Sequence, residues 1–131
     1  MEAQPKRRIL FVDDDSAAVE LVKTYLGKWY QVETASTGEE AVQACLTKAP
    51  DLVLMDLMMP GTPSYEGDEA IRRITTDPRT STIPIIVQTG FQNTRVLLLM
   101  GQTPNIVGVL LKPFDLAMLK KKIQVVLGAP A

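Results

Sequence analysis

Carboxylates stand at the ends of two short apolar runs in this chain of 131 residues. Residues 9–12 run into three consecutive aspartates, Asp13–Asp15, and residues 52–55 run into Asp56. If the two runs are neighbouring strands of a parallel sheet, their C-terminal ends share one edge, where ligands of open α/β sheets bind. Carboxylates crowded into that small volume repel each other unless a cation neutralises them. The pattern therefore predicts a metal ion at this edge.

The chain contains no histidine and a single cysteine, Cys45. The lack of imidazole excludes Ser-His-Asp and Cys-His nucleophilic catalysis and any histidine metal ligand. One cysteine excludes an internal disulfide and a thiolate metal cluster. Carboxylates, hydroxyls and lysines must therefore carry any chemistry, and Cys45 is expected to be a small hydrophobe on the inner face of a helix.

The length and charge of the chain limit its class. Residues 1–131 fit one domain, with a core of about 7–127. The net charge of -1 favours neither nucleic acid nor an anionic membrane as a direct partner. The apolar runs are too short to span a bilayer, and the N-terminus does not resemble a signal peptide. A cytoplasmic location is the default expectation.

Apolar runs and periodic segments alternate along the chain. The predicted strands are residues 8–12, 30–34, 52–56, 83–87 and 107–111. The first predicted helix runs from an N-cap at Asp15 or Ser16 to about Lys28, and the second from the capping box of Thr37 and Glu40 to about Lys48. The third contains Ala70, Ile71 and Ile74, and the fourth lies around residues 95–100. The fifth runs from about Asp115 to Leu127. The chain thus consists of five βα units.

Continuous apolar strands indicate burial on both faces, which is typical of a parallel sheet with helices on either side. Five βα units in this length match the flavodoxin-like doubly wound α/β fold, with strand order 2-1-3-4-5. In that order strands 1 and 3 are neighbours. Asp13, Asp14 and Asp56 are then expected to meet where the strand order reverses.

These residues resemble the receiver domain of two-component response regulators, in the chemotaxis-regulator-like superfamily, over essentially the whole chain. The matching motifs are Val12-Asp13-Asp14-Asp15 after strand 1, Asp56 and Met59-Pro60-Gly61 after strand 3, Thr89-Gly90 after strand 4, and Lys112-Pro113-Phe114 after strand 5. Each motif alone is typical of turns and helix caps. Their joint occurrence in this order indicates one site.

The resemblance implies that Asp56 accepts a phosphoryl group from a phosphohistidine of a histidine kinase or phosphotransfer protein, or from a small phosphodonor. It also implies a Mg²⁺ cofactor. Asp14 would bind this ion directly and Asp13 through water, while Asp56 and the backbone carbonyl of Met58 would complete the protein ligands. Hard oxygen ligands suit Mg²⁺.

By the same resemblance, the ammonium of Lys112 would neutralise phosphoryl charge and the hydroxyl of Thr89 would hydrogen-bond the phosphoryl oxygens. The Lys112-Pro113 bond resembles the cis peptide of the family. The expected function is a signalling domain whose conformation shifts on phosphorylation to control a partner, and not an enzyme that turns over a substrate.

Three modulating positions depart from the family pattern. Val109 stands where members commonly carry a Tyr or Phe that swings inward, so the switch is carried either by that position or by the backbone after Thr89. Met58 and Phe91 stand where side chains commonly flank the attacking water. Both are apolar and cannot orient a water, so we predict slow loss of phosphate. The loop 61–67, which contains Tyr65, is longer than the usual turn.

Other interpretations stay open at this point. One is a receiver-like scaffold that works without phosphorylation, which Val109 alone supports. Another is a Mg²⁺-dependent phosphohydrolase with an aspartyl nucleophile, but Asp13-x-Asp15 is followed by Ser16-Ala17 where haloacid-dehalogenase-like phosphatases carry x-Thr/Val. The leucine-rich segment 95–100 is either deeply packed or a patch for a partner or a second copy of the chain in a homodimer.

Overall fold

Strands and helices alternate along the chain, as a computed structural model describes it over residues 6–57, 66–90 and 94–129. The strands are β1 (Arg8–Val12), β2 (Gln31–Ala35), β3 (Leu52–Asp56), β4 (Ile85–Thr89) and β5 (Ile106–Leu111). The helices are α1 (Ser16–Leu26), α2 (Gly38–Lys48), α3 (Glu66–Thr76), α4 (Thr94–Gln102) and α5 (Leu116–Leu127).

The described strands form one parallel sheet in the order β2-β1-β3-β4-β5. The predicted fold class and strand order are therefore confirmed. Val12 pairs with Met55 across β1 and β3, and Asp56 pairs with Gln88 across β3 and β4. Since the pairs are parallel, the C-terminal ends of these strands reach the same edge of the sheet.

Apolar side chains cover both faces of the sheet, and every residue of β3 and β4 is buried. Successive side chains of a strand point to opposite faces. Leu10 and Val53 accordingly pack with α2 and α3, whereas Phe11 and Leu54 pack with α1 and α5. Each such side chain contributes roughly 1.5–3 kcal/mol when it leaves water, so the strands that carry the site are held from both sides.

Cys45 of α2 is 2% exposed and packs in the cluster formed with α3. The expectation that it is a core residue is confirmed. Burial raises the pKa of its thiol to about 12, so the thiol stays protonated near neutral pH.

Side chains cap the helices that begin beside the site. The carboxylate of Asp15 accepts hydrogen bonds from the main-chain N–H groups of Ala17 at 3.0 Å and Ala18 at 3.3 Å. Asp15, and not Ser16, is therefore the N-cap of α1. The hydroxyl of Thr37 accepts from the N–H of Glu40 at 3.1 Å, which is the predicted capping-box contact of α2.

Several predicted boundaries were wrong by one or two residues. Strand β4 covers Ile85–Thr89 instead of 83–87, because the N–H of Ile83 bonds to the carbonyl of Thr80 at 3.1 Å in a turn and Pro84 has no N–H to donate. Helix α1 ends at Leu26, before Lys28, and β2 begins one residue later than predicted. The shift of β4 makes Thr89 the last residue of the strand.

The leucine-rich helix α4 is neither fully packed nor fully exposed where its side chains are described. Leu98 is 57% exposed, whereas Leu99 and Met100 are half-buried against the core on the α2 and α3 face. The side chain of Leu97 lies outside the described part. Among the described helices, none has the length and apolar character that a membrane span requires.

Candidate functional site

Three aspartates predicted from two separate motifs come together at the edge of the sheet. One carboxylate oxygen each of Asp13, Asp14 and Asp56 lies within 4.8 Å of the others. Asp13 is 3% exposed and Asp56 is 1% exposed, while Asp14 is half-buried. They meet because β1 ends at Val12 next to the end of β3. Acidic side chains on adjacent strand ends thus form one cluster.

Lys112 follows β5, which lies two strands away from β3, and its side chain reaches the same cluster. Its Nζ donates hydrogen bonds to Oδ2 of Asp13 at 3.0 Å and to Oδ2 of Asp56 at 2.9 Å. Burial lowers the pKa of Lys112, but the hydrogen bonds and negative charges of Asp56 and Asp13 outweigh burial and raise it above its ordinary value. The side chain is therefore an ammonium at neutral pH.

Among the described residues, the acidic groups of the cluster outnumber the basic ones. Three carboxylates, when ionised, face one ammonium, so the described groups leave a surplus of negative charge that a divalent cation can neutralise. Closely spaced carboxylate oxygens are the ligands that Mg²⁺ prefers, since it combines one or two of them with waters and phosphate oxygens. The donor set therefore fits Mg²⁺. The predicted carbonyl ligand of Met58 lies outside the described residues.

The β1–α1 turn orients the first acid of the cluster. The N–H of Asp13 donates to the carbonyl of Ala35 at 3.0 Å, and its Oδ1 accepts from the N–H of Asp15 at 3.0 Å. A cleft of about 200 Å³ opens beside this turn. The cleft is lined by Asp13, Asp14, Ser16, Val19, Glu20, Thr34, Ala35, Ser36 and Glu40. Solvent ions can reach the half-buried Asp14 by this route.

Thr89 ends β4 and is 2% exposed. Its carbonyl accepts the N–H of Lys112 at 2.8 Å, so the main chains that carry the hydroxyl and the ammonium are joined directly. The peptide bond between Lys112 and Pro113 is cis, as the family resemblance implied.

Gly67 in the first turn of α3 packs against the main chain of β3. A Cβ atom there would lie 2.6 Å from the carbonyl oxygen of Asp56 and 3.0 Å from Cα of Leu57. Only glycine allows this approach. The prediction that the loop extends to Gly67 was wrong, because α3 begins at Glu66, and the close approach at Gly67 was therefore not predicted.

The amino-acid sequence also gave no prediction of a role for Gln88. It is a fully buried amide in β4, directly before Thr89. The available signal was a polar residue in a run that is otherwise apolar from Ile85 to Val87.

The structure describes one of the three modulating positions. Val109 of β5 is half-buried, pairs with Val87, and packs on the core face of α2 and α3. Met58 and Phe91 lie outside the described residues, as does Tyr65, so the interpretations of them stay predictions.

Sequence comparison links the chain to one family. The family model of the response regulator receiver domain matches residues 9–124. Protein PilH of Pseudomonas aeruginosa is 38% identical over 123 residues, which are 92% of this chain and 98% of that protein. Two other curated relatives are longer, and the chain spans 25% of their length.

Solved structures show the same architecture. The chemotaxis protein CheY4 of Vibrio cholerae superposes with a TM-score of 0.82 at 26% identity, over 92% of this chain and 98% of that one. The receiver domain of the sensor histidine kinase PA1611 from Pseudomonas aeruginosa gives a TM-score of 0.75 at 27% identity, over 95% and 99% of the two chains. That structure has a magnesium ion coordinated in its active site cleft.

Proposed function

We propose that this chain, which belongs to the response regulator receiver domain family of two-component signalling, accepts a phosphoryl group on Asp56 in a Mg²⁺-dependent reaction. The donor is a phosphohistidine on a histidine kinase or phosphotransfer protein, or a small molecule such as acetyl phosphate. Residues 7–127 form the core of this single domain. The observation that carries the proposal is the contact of one ammonium, Lys112, with both Asp13 and Asp56.

The Asp56 carboxylate is the nucleophile in this proposal. One of its oxygens bonds to phosphorus while the bond from phosphorus to the donor's imidazole nitrogen or acetate oxygen breaks, and the electron pair leaves with the donor. A leaving imidazole takes its proton from solvent. Because Lys112 holds Oδ2 of Asp56 at 2.9 Å, the carboxylate is oriented before the donor arrives, which lowers the entropic part of the barrier.

Asp13, Asp14 and Asp56 would hold the cation, with the carbonyl of Met58. When bound, Mg²⁺ neutralises charge that develops on the phosphoryl oxygens. Asp13 is already held at two atoms, by the N–H of Asp15 at Oδ1 and by Lys112 at Oδ2. The half-buried Asp14 is more accessible, which agrees with the proposal that Asp14 contacts the ion directly and Asp13 acts through water.

Lys112 and Thr89 complete the site. Phosphoryl transfer depends on positioning and on neutralising oxygen charge, and the raised pKa of Lys112 keeps its side chain charged. Its ammonium then passes from Oδ2 of Asp56 to a phosphoryl oxygen. The hydroxyl of Thr89 donates a hydrogen bond to another phosphoryl oxygen from the neighbouring strand end.

Phosphorylation must then change a surface that a partner contacts. Val109 has no aromatic ring to swing, and its side chain already packs against the core. We therefore assign the change to the main chain that follows Thr89. This assignment favours the second of the two switch interpretations considered for Val109.

Intact mass tests the phosphoacceptor proposal. The chain is incubated with Mg²⁺ and acetyl phosphate, as wild type and as the variants Asp56→Asn and Asp51→Asn. Asp51 is a matched control because it precedes the other end of β3, where it accepts the N–H of Arg8 at 2.8 Å. We expect one added phosphoryl group on wild type and Asp51→Asn, none on Asp56→Asn, and none when EDTA removes the cation.

Two results would contradict the proposal. No added mass on wild type would favour the scaffold that works without phosphorylation. Steady turnover of an external phosphate ester that depends on Asp13 and not on Asp56 would favour the phosphohydrolase.

A further inference from the structure

Gln88 is a buried polar residue to which the proposed reaction assigns no role. It is 0% exposed and stands in β4 after Ile85, Ile86 and Val87. A buried amide costs free energy unless its hydrogen bonds are satisfied, and an apolar side chain of similar size would avoid that cost. The hydrogen bonds of the amide should therefore show why a polar side chain is buried at this position.

Three hydrogen bonds of Gln88 lead to main chain beside the acidic cluster. Its Nε2 donates to the carbonyl of Val12 at 3.1 Å and to the carbonyl of Leu54 at 3.3 Å. The main-chain carbonyl of Gln88 accepts the N–H of Leu57 at 3.1 Å. Val12 precedes Asp13, and Leu54 and Leu57 lie on either side of Asp56. Gln88 thus bonds to the strand segments that carry two of the three acids.

Sheet geometry explains how one side chain reaches both strands. Strand β3 lies between β4 and β1, so the side chain of Gln88 crosses β3 to bond Val12. Gln88 is also the register partner of Asp56, and partners in a parallel pair project from the same face. The amide therefore lies on the face from which Asp56 projects, behind the acidic cluster.

The side-chain oxygen of Gln88 lacks a hydrogen bond among the described residues. Oε1 of Gln88 is buried and has no hydrogen-bond partner among the described residues. An acceptor without a partner destabilises the folded state. The unpartnered acceptor offsets part of the stability that the two Nε2 bonds add, so stability alone does not explain an amide at this position.

We propose that Gln88 is a positioning residue that sets the separation of the Asp13 and Asp56 carboxylates for a divalent cation. This inference rests on the proposed Mg²⁺ site. Mg²⁺ demands near-octahedral geometry, so Asp56, which would bind it directly, and Asp13, which would act through water, need a fixed separation, whereas carboxylates that face each other repel. The amide opposes this repulsion because it holds the main chains of β1 and β3 to β4 at the point where both acids begin.

The test measures Mg²⁺ affinity of the full chain by titration calorimetry and, separately, its melting temperature in EDTA. Gln88→Met keeps the shape of the side chain but removes its hydrogen bonds. Ile86→Met is the matched control, since Ile86 is buried on the same face two residues earlier. We expect Gln88→Met to bind Mg²⁺ about tenfold more weakly, the lower end of the loss seen when an outer partner of a ligand is removed, because Gln88 bonds to main chain beside the ligands and not to the ligands. Its melting temperature should stay within about 4 °C of wild type, because the unpartnered acceptor is lost as well.

Ile86→Met should show the opposite pattern, with a lower melting temperature and unchanged Mg²⁺ affinity. In the acetyl phosphate assay, Gln88→Met should need about tenfold more Mg²⁺ for half-maximal phosphorylation and keep its rate at saturating Mg²⁺. If Gln88→Met does not fold, Gln88→Asn decides, because its amide is one methylene too short to reach β1 and should weaken Mg²⁺ binding in the same way.

Equal Mg²⁺ affinity in wild type and the Gln88 variants would overturn the inference and leave the proposed function intact. Equal weakening in Ile86→Met would also overturn it, since general packing would then explain the effect. A wild-type chain that binds no Mg²⁺ would overturn the proposed function together with the inference.

Discussion

Replacing Lys112 with methionine should reveal how strongly its ammonium stabilises the acidic cluster before any cation binds. Methionine keeps most of the apolar stem and removes the charge. The ammonium lies 3.0 Å from Oδ2 of Asp13 and 2.9 Å from Oδ2 of Asp56, whose side chains are 3% and 1% exposed. The variant therefore leaves two buried carboxylates facing each other without their ammonium.

Removing one partner of a buried ion pair costs about 3–5 kcal/mol, because the remaining charge stays out of water. The Lys112 side chain is 31% exposed, so water partly screens the interaction and we expect the lower end, about 3 kcal/mol. For a small domain this corresponds to a melting temperature roughly 12 °C below wild type, at about 4 °C per kcal/mol.

Unfolding followed by circular dichroism in EDTA and in saturating Mg²⁺ measures this effect. Mg²⁺ at about a hundred times its dissociation constant stabilises a folded protein by about 2.7 kcal/mol. We expect a larger gain for Lys112→Met than for wild type, because the cation then neutralises carboxylates that no ammonium contacts. The difference between the two proteins should therefore shrink when Mg²⁺ is added.

An exposed lysine of α5 supplies the control. Lys121→Met should unfold within about 0.5 kcal/mol of wild type in both buffers, as is usual for surface substitutions. The reasoning would be refuted if Lys112→Met unfolded within about 1 kcal/mol of wild type in EDTA, or if Mg²⁺ stabilised both proteins equally.

Three further predictions concern packing, phosphate loss and thiol reactivity. Gly67→Ala should destabilise the fold by about 1–3 kcal/mol in urea unfolding, because its Cβ would lie 2.6 Å from the carbonyl oxygen of Asp56; Gly101→Ala, with nothing within 4 Å, should be neutral or stabilising. The double variant Met58→Asn and Phe91→Glu should lose phosphate at least about tenfold faster by intact mass, since both new side chains can orient water; equal decay would remove these positions from the mechanism. Cys45 has a pKa raised to about 12, so its thiol should resist Ellman's reagent at pH 8 in the native chain and react fully in denaturant, and rapid native reaction would contradict its burial.

Local features of the sequence were enough to predict the type and order of the elements. The useful features were apolar runs that end in acids, the capping box at Thr37 and the capping acid Asp15. Each involves only residues close together in the chain, and each favours one local geometry. The meeting of Asp13, Asp14 and Asp56 followed from them, because the C-terminal ends of parallel strands share one edge once their order is known. Thr89 and Lys112 came instead from the resemblance to the receiver family.

Main-chain hydrogen bonds, and not the apolar pattern, determine where β4 begins. Ile83 belongs to an apolar run, yet its N–H bonds to the carbonyl of Thr80, and the strand begins at Ile85. The pattern of apolar residues indicates which side chains are buried, but it does not indicate which main-chain groups form hydrogen bonds.

Tertiary structure alone decided the long-range contacts around the acidic cluster. Lys112 and Asp13 are 99 residues apart in the chain, and Gln88 and Val12 are 76 residues apart. Such contacts depend on strand register, which sets which side chains face each other and at what separation. The strand pattern groups the acids, and the family resemblance adds the hydroxyl and the lysine. Only the packed sheet brings the amide of Gln88 behind the acids and the backbone of Gly67 against Asp56, because a single side-chain length or a single Cβ decides whether those contacts form.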